Sequence, residues 1–344
     1  MKRGLVTLDD AESAASVFMQ RLDRFRDGLR AAKLDVALIY GDVSRSAGMD
    51  YLTNFCLYWN ESVLVVPVHG APALIMKLSK RVQPWIRNTT VLDDIHSGQN
   101  LVQNIAVHLR ERWLGGDMHV AINDMAWWPA EVLDGLRAML PRATFVDTPG
   151  AIAALREIPD DAERALLRRA GSLLGEALAC AWTEGATPEQ WTEIAVREAR
   201  LRGFLDFHMH CRKLHDGSAY IDAVAQYRYV WLRLCRPRGG ATAVLTNTLM
   251  TQLLAAVQPG VTEQGLALQV ADWMYVGYRH AFSCIRQTEI ETGGDYRQEG
   301  DATRPLREGE VVSLKLSLFR DGEEVHAAET VIVTNTGVDS LVAR

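Results

Sequence analysis

The chain reads Glu184-Gly-Ala-Thr-Pro-Glu-Gln-Trp at 184–191 and Pro259-Gly-Val-Thr-Glu-Gln-Gly-Leu at 259–266, and these two stretches follow one pattern. Each is flanked by helical periodicity, and each leads to a glycine followed by an aromatic residue, Gly203-Phe204 and Gly277-Tyr278. Because self-similarity along a chain is the sign of an internal repeat, we infer that the C-terminal half is a duplicated unit. A duplicated domain places its functional cleft between the two copies, so the chemistry is expected there.

Length and composition indicate a protein of two domains. The chain has 344 residues, of which 48% are hydrophobic and 23% are charged, so it can bury more than one core. The pattern of the first half breaks at the segment that begins with Thr148, and we place the domains at 1–150 and 151–344. Asp160 or Asp161 is a suitable N-cap for the long helix that follows this boundary.

Charge and targeting signals narrow the range of partners. The formal charge is −6, and the basic residues are scattered instead of clustered on one element. The sequence therefore lacks the basic surface that nucleic acid or an anionic membrane requires, and a small neutral or zwitterionic partner fits better.

The N-terminus has no signal-peptide core and no apolar run is long enough to span a bilayer, so we expect a cytoplasmic protein. The five widely spaced cysteines argue against structural disulfides and a zinc knuckle.

Apolar periodicity predicts an α/β arrangement in the first domain and a repeated arrangement in the second. The first domain is predicted to contain helices at 9–33, 100–112 and 129–140 and strands at 35–40, 62–68, 71–76, 90–92, 119–123 and 144–147. The second is predicted to contain helices at 160–182, 188–202, 247–258 and 262–276 and strands within 204–246, 281–290, 310–319 and 325–334. Two helices followed by strands thus occur twice, in agreement with the repeat.

This layout resembles the creatinase, aminopeptidase P and prolidase family in four passages. They are Tyr51-Leu-Thr-Asn-Phe with Glu61-Ser-Val-Leu-Val-Val-Pro, the interdomain helix from Leu155-Arg-Glu-Ile-Pro-Asp-Asp, the Pro-Gly-Val-Thr turn at 259–262, and Leu306-Arg-Glu-Gly-Glu-Val-Val-Ser-Leu with Glu329-Thr-Val-Ile-Val-Thr. They span nearly the whole chain. The resemblance implies a creatinase-like, ribonuclease H-like α/β N-terminal domain and an α+β pita-bread C-terminal domain with a pseudo-twofold repeat. It also implies a homodimer.

Family metallopeptidases hold two divalent ions with two Asp, one His and two Glu, and this chain departs from that set. The stretch 225–240, which corresponds to the Asp pair, contains neither Asp nor Glu. The ligand His corresponds to His280, although the glycines that usually surround it are missing. The two Glu correspond to Lys315 and Ala328, with Glu329 directly after the latter.

Lys315 bears most directly on whether metal can bind. It places an ammonium group where two dications belong, and each unit charge pair at about 4 Å in an effective dielectric near 20 interacts with roughly 4 kcal/mol. Because the hard oxygen ligands are missing as well, a dinuclear metal site is not expected, and no cofactor is predicted. The alternative is a solvated strand position, on the face that Lys315 shares with Ser313 and Ser317.

Histidines remain as candidate proton carriers. Creatinase is the family precedent for cleaving a C–N bond without metal, with a histidine as proton shuttle, so the resemblance implies that class of mechanism. His208 and His210 point the same way in a predicted strand near the creatinase histidine, and His280 stands at the family ligand position. A histidine that titrates near neutrality can take a proton from water and return it to a leaving nitrogen. The alternative is that these are hydrogen-bonded structural residues.

Charged residues near the missing ligands are candidates for binding substrate. Glu329 is predicted to orient a histidine or bind a substrate cation, unless it is only the acid that the family carries beside its ligand. Arg228, Arg233 and Arg236 lie in the stretch of the missing Asp pair, and any that reach the cleft would join Lys315 in favouring a carboxylate-bearing substrate. In one regular strand, Arg228 and Arg236 would share a face and Arg233 would take the other.

Two further positions are predicted from the resemblance. Gln287 corresponds to a second family His and is a candidate for binding substrate. Tyr58 and Trp59 form an aromatic pair on a polar loop of the N-terminal domain, and in the family's dimers this loop would reach the active site of the partner.

Three functions are compatible with these residues. The first is a metal-independent hydrolase or lyase that acts on a C–N bond of a small carboxylate-bearing molecule. The second is a non-catalytic pita-bread module that binds peptides in its cleft. The third is an Xaa-Pro peptidase-like metallohydrolase whose ligands come from another set, His208, His210, His280, Glu289 or Glu291.

Overall fold

A computed structural model divides the chain into two units, Met1–Arg156 and Glu157–Arg344, each with its own core. The structure describes residues 7–57, 59–113, 117–272, 277–287 and 302–342. Within these ranges, none of the helices combines the length and the apolar character that crossing a membrane requires. The division follows residue 156, whereas the sequence suggested a boundary after 150.

The first unit alternates helices and strands. Its described helices are α1 (Ala15–Ala31), α2 (Ala47–Thr53), α3 (Gln83–Ile86), α4 (Leu101–Arg112), α5 (Ala130–Met139) and α6 (Ala151–Arg156). Its described strands are β1 (Val36–Asp42), β2 (Glu61–Pro67), β3 (Ala73–Met76), β4 (Asp94–Ser97), β5 (Met118–Asn123) and β6 (Ala143–Thr148). In the described ranges they form one mixed sheet in the order β4-β3-β2-β1-β5-β6.

Helices α4 and α5 pack against this sheet because both are amphipathic. Ile105 and Leu109 of α4 and Leu136 of α5 are fully buried in one cluster with the strand residues Leu38 and Val120. The strands predicted at 62–68 and 71–76 form a hairpin, since β2 and β3 pair antiparallel across Gly70. The strand predicted at 90–92 is wrong, because the edge strand β4 begins only at residue 94 and pairs with β3.

The second unit repeats two helices and three strands. The first copy consists of α7 (Asp161–Ala181), α8 (Pro188–Leu201), β7 (Asp206–Lys213), β8 (Ala219–Tyr227) and β9 (Val230–Cys235). The second consists of α9 (Ala241–Ala256), α10 (Glu263–Asp272), β10 (Arg279–Arg286), β11 (Val311–Arg320) and β12 (Glu323–Thr334), and the short β13 (Gly337–Ser340) follows. Helix α9 begins before the predicted residue 247, inside the stretch that we had expected to be rich in strands.

The two copies meet edge to edge in one antiparallel sheet. The strand order is β7-β8-β9-β12-β11-β10, which reads the same from either end when the copies are exchanged. The repeated turns also match: Gly203 and Gly277 both adopt a positive φ, 91° and 93°, immediately before the strands of their copies. Thr187 caps α8 through the backbone of Gln190, and Thr262 accepts a hydrogen bond from Gly265 at the start of α10. The predicted duplication is therefore present in the structure.

Candidate active site

A row of six residues crosses the sheet of the second unit in register. From edge to edge the row is His210 (β7), Asp222 (β8), Cys235 (β9), Ala328 (β12), Lys315 (β11) and Ser283 (β10). Residues directly opposite one another project from the same side of a sheet, so all six share one face, here called the polar face. The other face carries Leu314, Leu316 and Leu318, which pack with residues of α9 and α10 in the core.

The sheet curls toward the polar face. Ile285 of β10 packs against Trp231 of β9, although two strands lie between them in the sheet. On a flat sheet these strands would be about 14 Å apart, at roughly 4.8 Å per strand. Contact between the two side chains therefore requires strong curvature, which makes the polar face concave and brings the two copies together around it.

A chain of ionic contacts runs along this concave face from β9 to β11. Arg233 donates from Nε and Nη2 to the two carboxylate oxygens of Asp222 at 3.1 and 2.6 Å. His326 Nε2 lies 3.0 Å from Asp222 Oδ2, and His326 Nδ1 lies 3.4 Å from Glu324 Oε1. Lys315 Nζ lies 3.9 Å from the same Glu324 oxygen. Cations and carboxylates thus alternate along the chain.

The alternation shifts the pKa values of the central groups. Burial would raise the pKa of Asp222, but contacts with His326 and Arg233 outweigh it and hold that pKa below its ordinary value. Burial would lower the pKa of His326, but Asp222 and Glu324 together raise it. The contact with His326 lowers the pKa of Glu324 to about 2. The five groups therefore carry three cations against two carboxylates whenever His326 is protonated, which favours an anion on this face.

His210 reaches the chain through Tyr220. The Tyr220 hydroxyl lies 3.4 Å from His210 Nδ1, and the Tyr220 ring centroid lies 4.4 Å from that of His326. Burial raises the pKa of Tyr220 to about 12, with the charge of Glu324 adding to the shift, so its hydroxyl keeps its proton at neutral pH. His210 itself is exposed, whereas the His326 side chain is only 4% exposed. His208 lies on the same face, stacked on Trp231 with 6.2 Å between ring centroids.

The donors on this face do not fit the pair of metal ions that the family resemblance implies. Among the described residues, the Asp222, Cys235 and His326 donors lie within 4.8 Å of one another. Both Asp222 oxygens are already bound by a guanidinium, and the Cys235 thiol donates to the backbone oxygen of His326 at 3.1 Å. Burial also raises the pKa of Cys235, which keeps it a thiol. Two carboxylates, Asp222 and Glu324, which already face Arg233 and Lys315, cannot balance two dications.

Two of the predicted substrate-binding cations lie on the polar face, and two others do not. Lys315 and Arg233 belong to the ionic chain described above. Arg228 lies in the tight turn between β8 and β9, with a positive φ of 49°, because this stretch is a hairpin and not one continuous strand. Arg236 donates to the backbone oxygen of Val342 at 3.0 Å and lies 3.5 Å from Glu329 Oε1.

Glu329 and His280 lie on the helix-covered face. Glu329 is opposite Leu314 in the register, and His280 is opposite Leu318. The sheet therefore does not bring either residue together with the row on the polar face. Gln287 follows β10 and is 3% exposed, and neither atom of its amide has a hydrogen-bond partner among the described residues.

The aromatic loop of the first unit is described only in part. Tyr58 lies outside the described residues, as do Glu289 and Glu291 of the alternative ligand set. Trp59 is 37% exposed, and its ring centroid lies 6.0 Å from that of Trp85. An exposed pair of tryptophans agrees with the predicted exposure of this loop.

Asp222, His326 and Glu324 are site residues that the sequence analysis did not identify. The signal was available in the alternation of β12, since residues 324, 326 and 328 share a face and Ala328 corresponds to a family ligand. Asp222 lies just before the stretch 225–240 that corresponds to the Asp pair of the family, so the resemblance does not point to it. Its importance depends on the pairing of β9 with β12, which brings His326 beside it from far along the chain.

Comparison with known proteins identifies the class. Residues 21–158 match the creatinase/prolidase N-terminal domain family. The prolidase of Pyrococcus horikoshii OT3 matches with a TM-score of 0.72 and 14% identity over 94% of this chain and 97% of that one. The Xaa-Pro dipeptidase of Bacillus anthracis matches with a TM-score of 0.72 and 16% identity, over 94% and 97%. The X-Pro aminopeptidase of Thermotoga maritima MSB8 matches with a TM-score of 0.73 and 15% identity, over 92% and 98%.

These matches extend over nearly the full length of the chain and of each similar structure. No match was found among curated proteins. The first unit thus matches the creatinase/prolidase N-terminal domain over residues 21–158, and the second has the pita-bread fold of prolidases and aminopeptidase P. The predicted resemblance to the creatinase, aminopeptidase P and prolidase family is confirmed, together with its fold.

Proposed function

We propose that this chain is a hydrolase or lyase that cleaves a C–N bond of a small carboxylate-bearing molecule without the pair of metal ions that the family resemblance implies. Support for C–N bond cleavage comes from the fold, since similar structures are named prolidase, Xaa-Pro dipeptidase and X-Pro aminopeptidase. Support for metal independence comes from one observation, the ionic chain from Arg233 to Lys315 on the polar face. Its cations occupy the region where metal ions would otherwise supply positive charge.

The substrate carboxylate binds at the Lys315 end of this chain. Arg233 is held by both oxygens of Asp222, and Lys315 ends the chain, with its Nζ 3.9 Å from Glu324 Oε1. The Lys315 side chain is 19% exposed, so it is partly accessible from the cleft. An ammonium in a partly dry cleft attracts a carboxylate more strongly than it would in bulk water.

His210 carries the proton in the proposed reaction. Its ring is exposed on the polar face, and the protonated Tyr220 hydroxyl beside Nδ1 can donate to that nitrogen, which leaves Nε2–H on the far side of the ring in that tautomer. In the other tautomer, Nδ1–H donates to the Tyr220 oxygen and Nε2 is free to accept a proton from water; the water oxygen then attacks the carbon of the C–N bond, and the imidazolium returns the proton to the leaving nitrogen. His208 is held against Trp231 and helps to shape the cleft.

Turnover by variants tests these roles. The full chain is assayed with dipeptides, N-acyl amino acids and guanidino acids, with and without a chelator. We expect turnover to survive the chelator and to fall by about 100-fold or more in His210→Gln while substrate still binds, since general acid–base groups contribute 10²–10⁴-fold. Lys315→Met is expected to raise KM mainly. His215→Gln is the matched control, because His215 is an exposed histidine that lies beside Glu323.

Two outcomes would replace this proposal with the alternatives given by the sequence. Activity that is lost with a chelator and restored by manganese or cobalt would show a metallohydrolase with other ligands. Peptide binding without turnover of any amide or amidine would show a binding module. Unchanged turnover in His210→Gln would show that His210 does not carry the proton. The chelator experiment would then be the test of whether the reaction needs metal.

A further inference from the structure

The first unit contains a second group of polar side chains, on the edge of its sheet. Asp94 and His96 are two residues apart on the edge strand β4 and therefore project from the same face. His108 lies on α4, which packs over that face. The ring centroids of His96 and His108 are 4.8 Å apart, at an angle of 70°. Potential ligand atoms of all three residues lie within 4.8 Å of one another.

His108 is the fixed member of this group. The residue is 6% exposed, and within the described part of the chain its Nε2 has no hydrogen-bond partner. A buried ring nitrogen without a partner is unusual, because desolvating a polar atom without a hydrogen bond costs about 1–3 kcal/mol. This nitrogen belongs to a group of three close donors, which points to a ligand that the three share.

The other two members are partly exposed. The His96 and Asp94 side chains are 44% and 31% exposed, and His96 Nε2 lies 2.7 Å from Asp94 Oδ1. Arg112 donates to Asp94 Oδ2 at 2.6 Å and to the backbone oxygen of Ala71 at 2.6 Å, which anchors the carboxylate to the sheet edge. The oxygen Oδ1 remains directed toward the histidine. An ion can therefore enter from solvent and meet a carboxylate oxygen already oriented by its neighbour.

We propose that Asp94, His96 and His108 form a binding site for one divalent transition-metal ion. Two imidazole nitrogens and one carboxylate oxygen suit zinc, copper or nickel, whereas magnesium and calcium prefer oxygen ligands alone. Three protein ligands leave a fourth position for water. With metal–ligand bonds of about 2.0–2.1 Å, tetrahedral ligands are roughly 3.3 Å apart, so the half-buried His96 and Asp94 must turn slightly toward His108. The nearby Arg112 opposes the metal charge and limits its affinity.

Calorimetric titration of the chelator-treated full chain with zinc chloride tests the site. Asp222, Cys235 and His326 could also take up an ion, so the informative quantity is the difference between variants. Wild type is expected to bind one more zinc ion than His96→Gln, or to bind that ion at least about 10-fold more tightly. Replacing residues that only support metal ligands already lowers metal affinity by 10–100-fold, so loss of a ligand should lower it at least as much. His119→Gln is the matched control, as another exposed histidine of this unit that lies 3.5 Å from a carboxylate, Asp35. It should bind zinc as wild type does.

A second readout does not depend on enzymatic activity. Zinc should raise the thermal midpoint of wild type and of His119→Gln, but not that of His96→Gln, because an ion that binds only the folded state stabilises it. His108→Gln should behave as His96→Gln does if it folds, and His96, whose side chain is 44% exposed, keeps the test decisive if it does not. Equal zinc affinity and equal stabilisation in wild type and His96→Gln would overturn the proposal. Chelator-sensitive turnover in His96→Gln would count against the proposed function and leave this site intact.

Discussion

His326 is the residue on which the ionic chain of the second unit depends. It lies between two carboxylates, one held by Arg233 and the other beside Lys315. Removing one partner from a buried ionic group is costly because the remaining charge stays desolvated, typically by 3–5 kcal/mol. Asp222 would keep its guanidinium, so we expect His326→Gln to lower the free energy of unfolding by roughly 3 kcal/mol, at the low end of that range.

The pH dependence of the stability lost in His326→Gln shows how much of that loss is electrostatic. The pKa of His326 is raised above its ordinary 6.5, so the stability it contributes is fully present below about pH 6.5 and disappears as the pH rises through the folded-state value. The difference between wild type and His326→Gln in urea unfolding should therefore shrink above pH 6.5. His69→Gln, at an exposed histidine of the first unit, is the control. A difference that stays constant from pH 6 to pH 9 would show that His326 stabilises by packing alone.

At the scale of elements, the duplication is visible in glycines that end the helical pairs. Gly203 and Gly277 adopt φ values of 91° and 93°, which residues with a side chain rarely tolerate. We expect Gly203→Ala and Gly277→Ala each to lower the free energy of unfolding by about 1 kcal/mol or more. Gly28→Ala within α1 is the control and should be neutral or stabilising, because a Cβ there meets nothing within 4 Å and alanine favours helix. Urea midpoints of the three variants decide between these expectations.

Local patterns were sufficient for most elements, and the exceptions involve distant partners. Helix α9 begins at Ala241 because Asp216 and Ser218, in the loop before β8, accept hydrogen bonds from the backbone of Thr242 and Ala243. Because these capping side chains come from 25–26 residues earlier in the chain, the sequence next to the helix does not indicate where it begins. The edge strand β4 is Asp-Ile-His-Ser, whose polar residues have low strand propensity, and its pairing with β3 determines its conformation.

The candidate site divides in the same way: residues marked by local patterns could be predicted from the sequence, and residues that depend on distant partners could not. Lys315, Arg233 and His210 follow from the family positions and from alternation along strands, both of which are local. Asp222 and His326 become partners only when β9 of the first copy pairs with β12 of the second. That pairing joins residues about a hundred positions apart, and the sequence of neither strand predicts its partner.

At the scale of the whole molecule, the family resemblance predicts a homodimer in which the loop with Trp59 contributes to the partner's active site. Sedimentation equilibrium should give about twice the chain mass of 38.3 kDa. In such a dimer, Trp59→Ser should lower turnover, whereas Trp127→Ser should not, although Trp127 is also exposed, at 50%.

Mixing two impaired variants tests the shared site directly. A dimer of one Trp59→Ser chain and one Lys315→Met chain would contain one site with both wild-type residues, since Lys315 comes from the first chain and Trp59 from the second. After dissociation and reassociation of an equal mixture, half of the dimers are mixed, and each has one intact site of two. At a substrate concentration well below KM, turnover should then recover to about a quarter of the wild-type value, since one site in four carries both wild-type residues. No recovery beyond the average of the two parent variants would place Trp59 outside the partner's site.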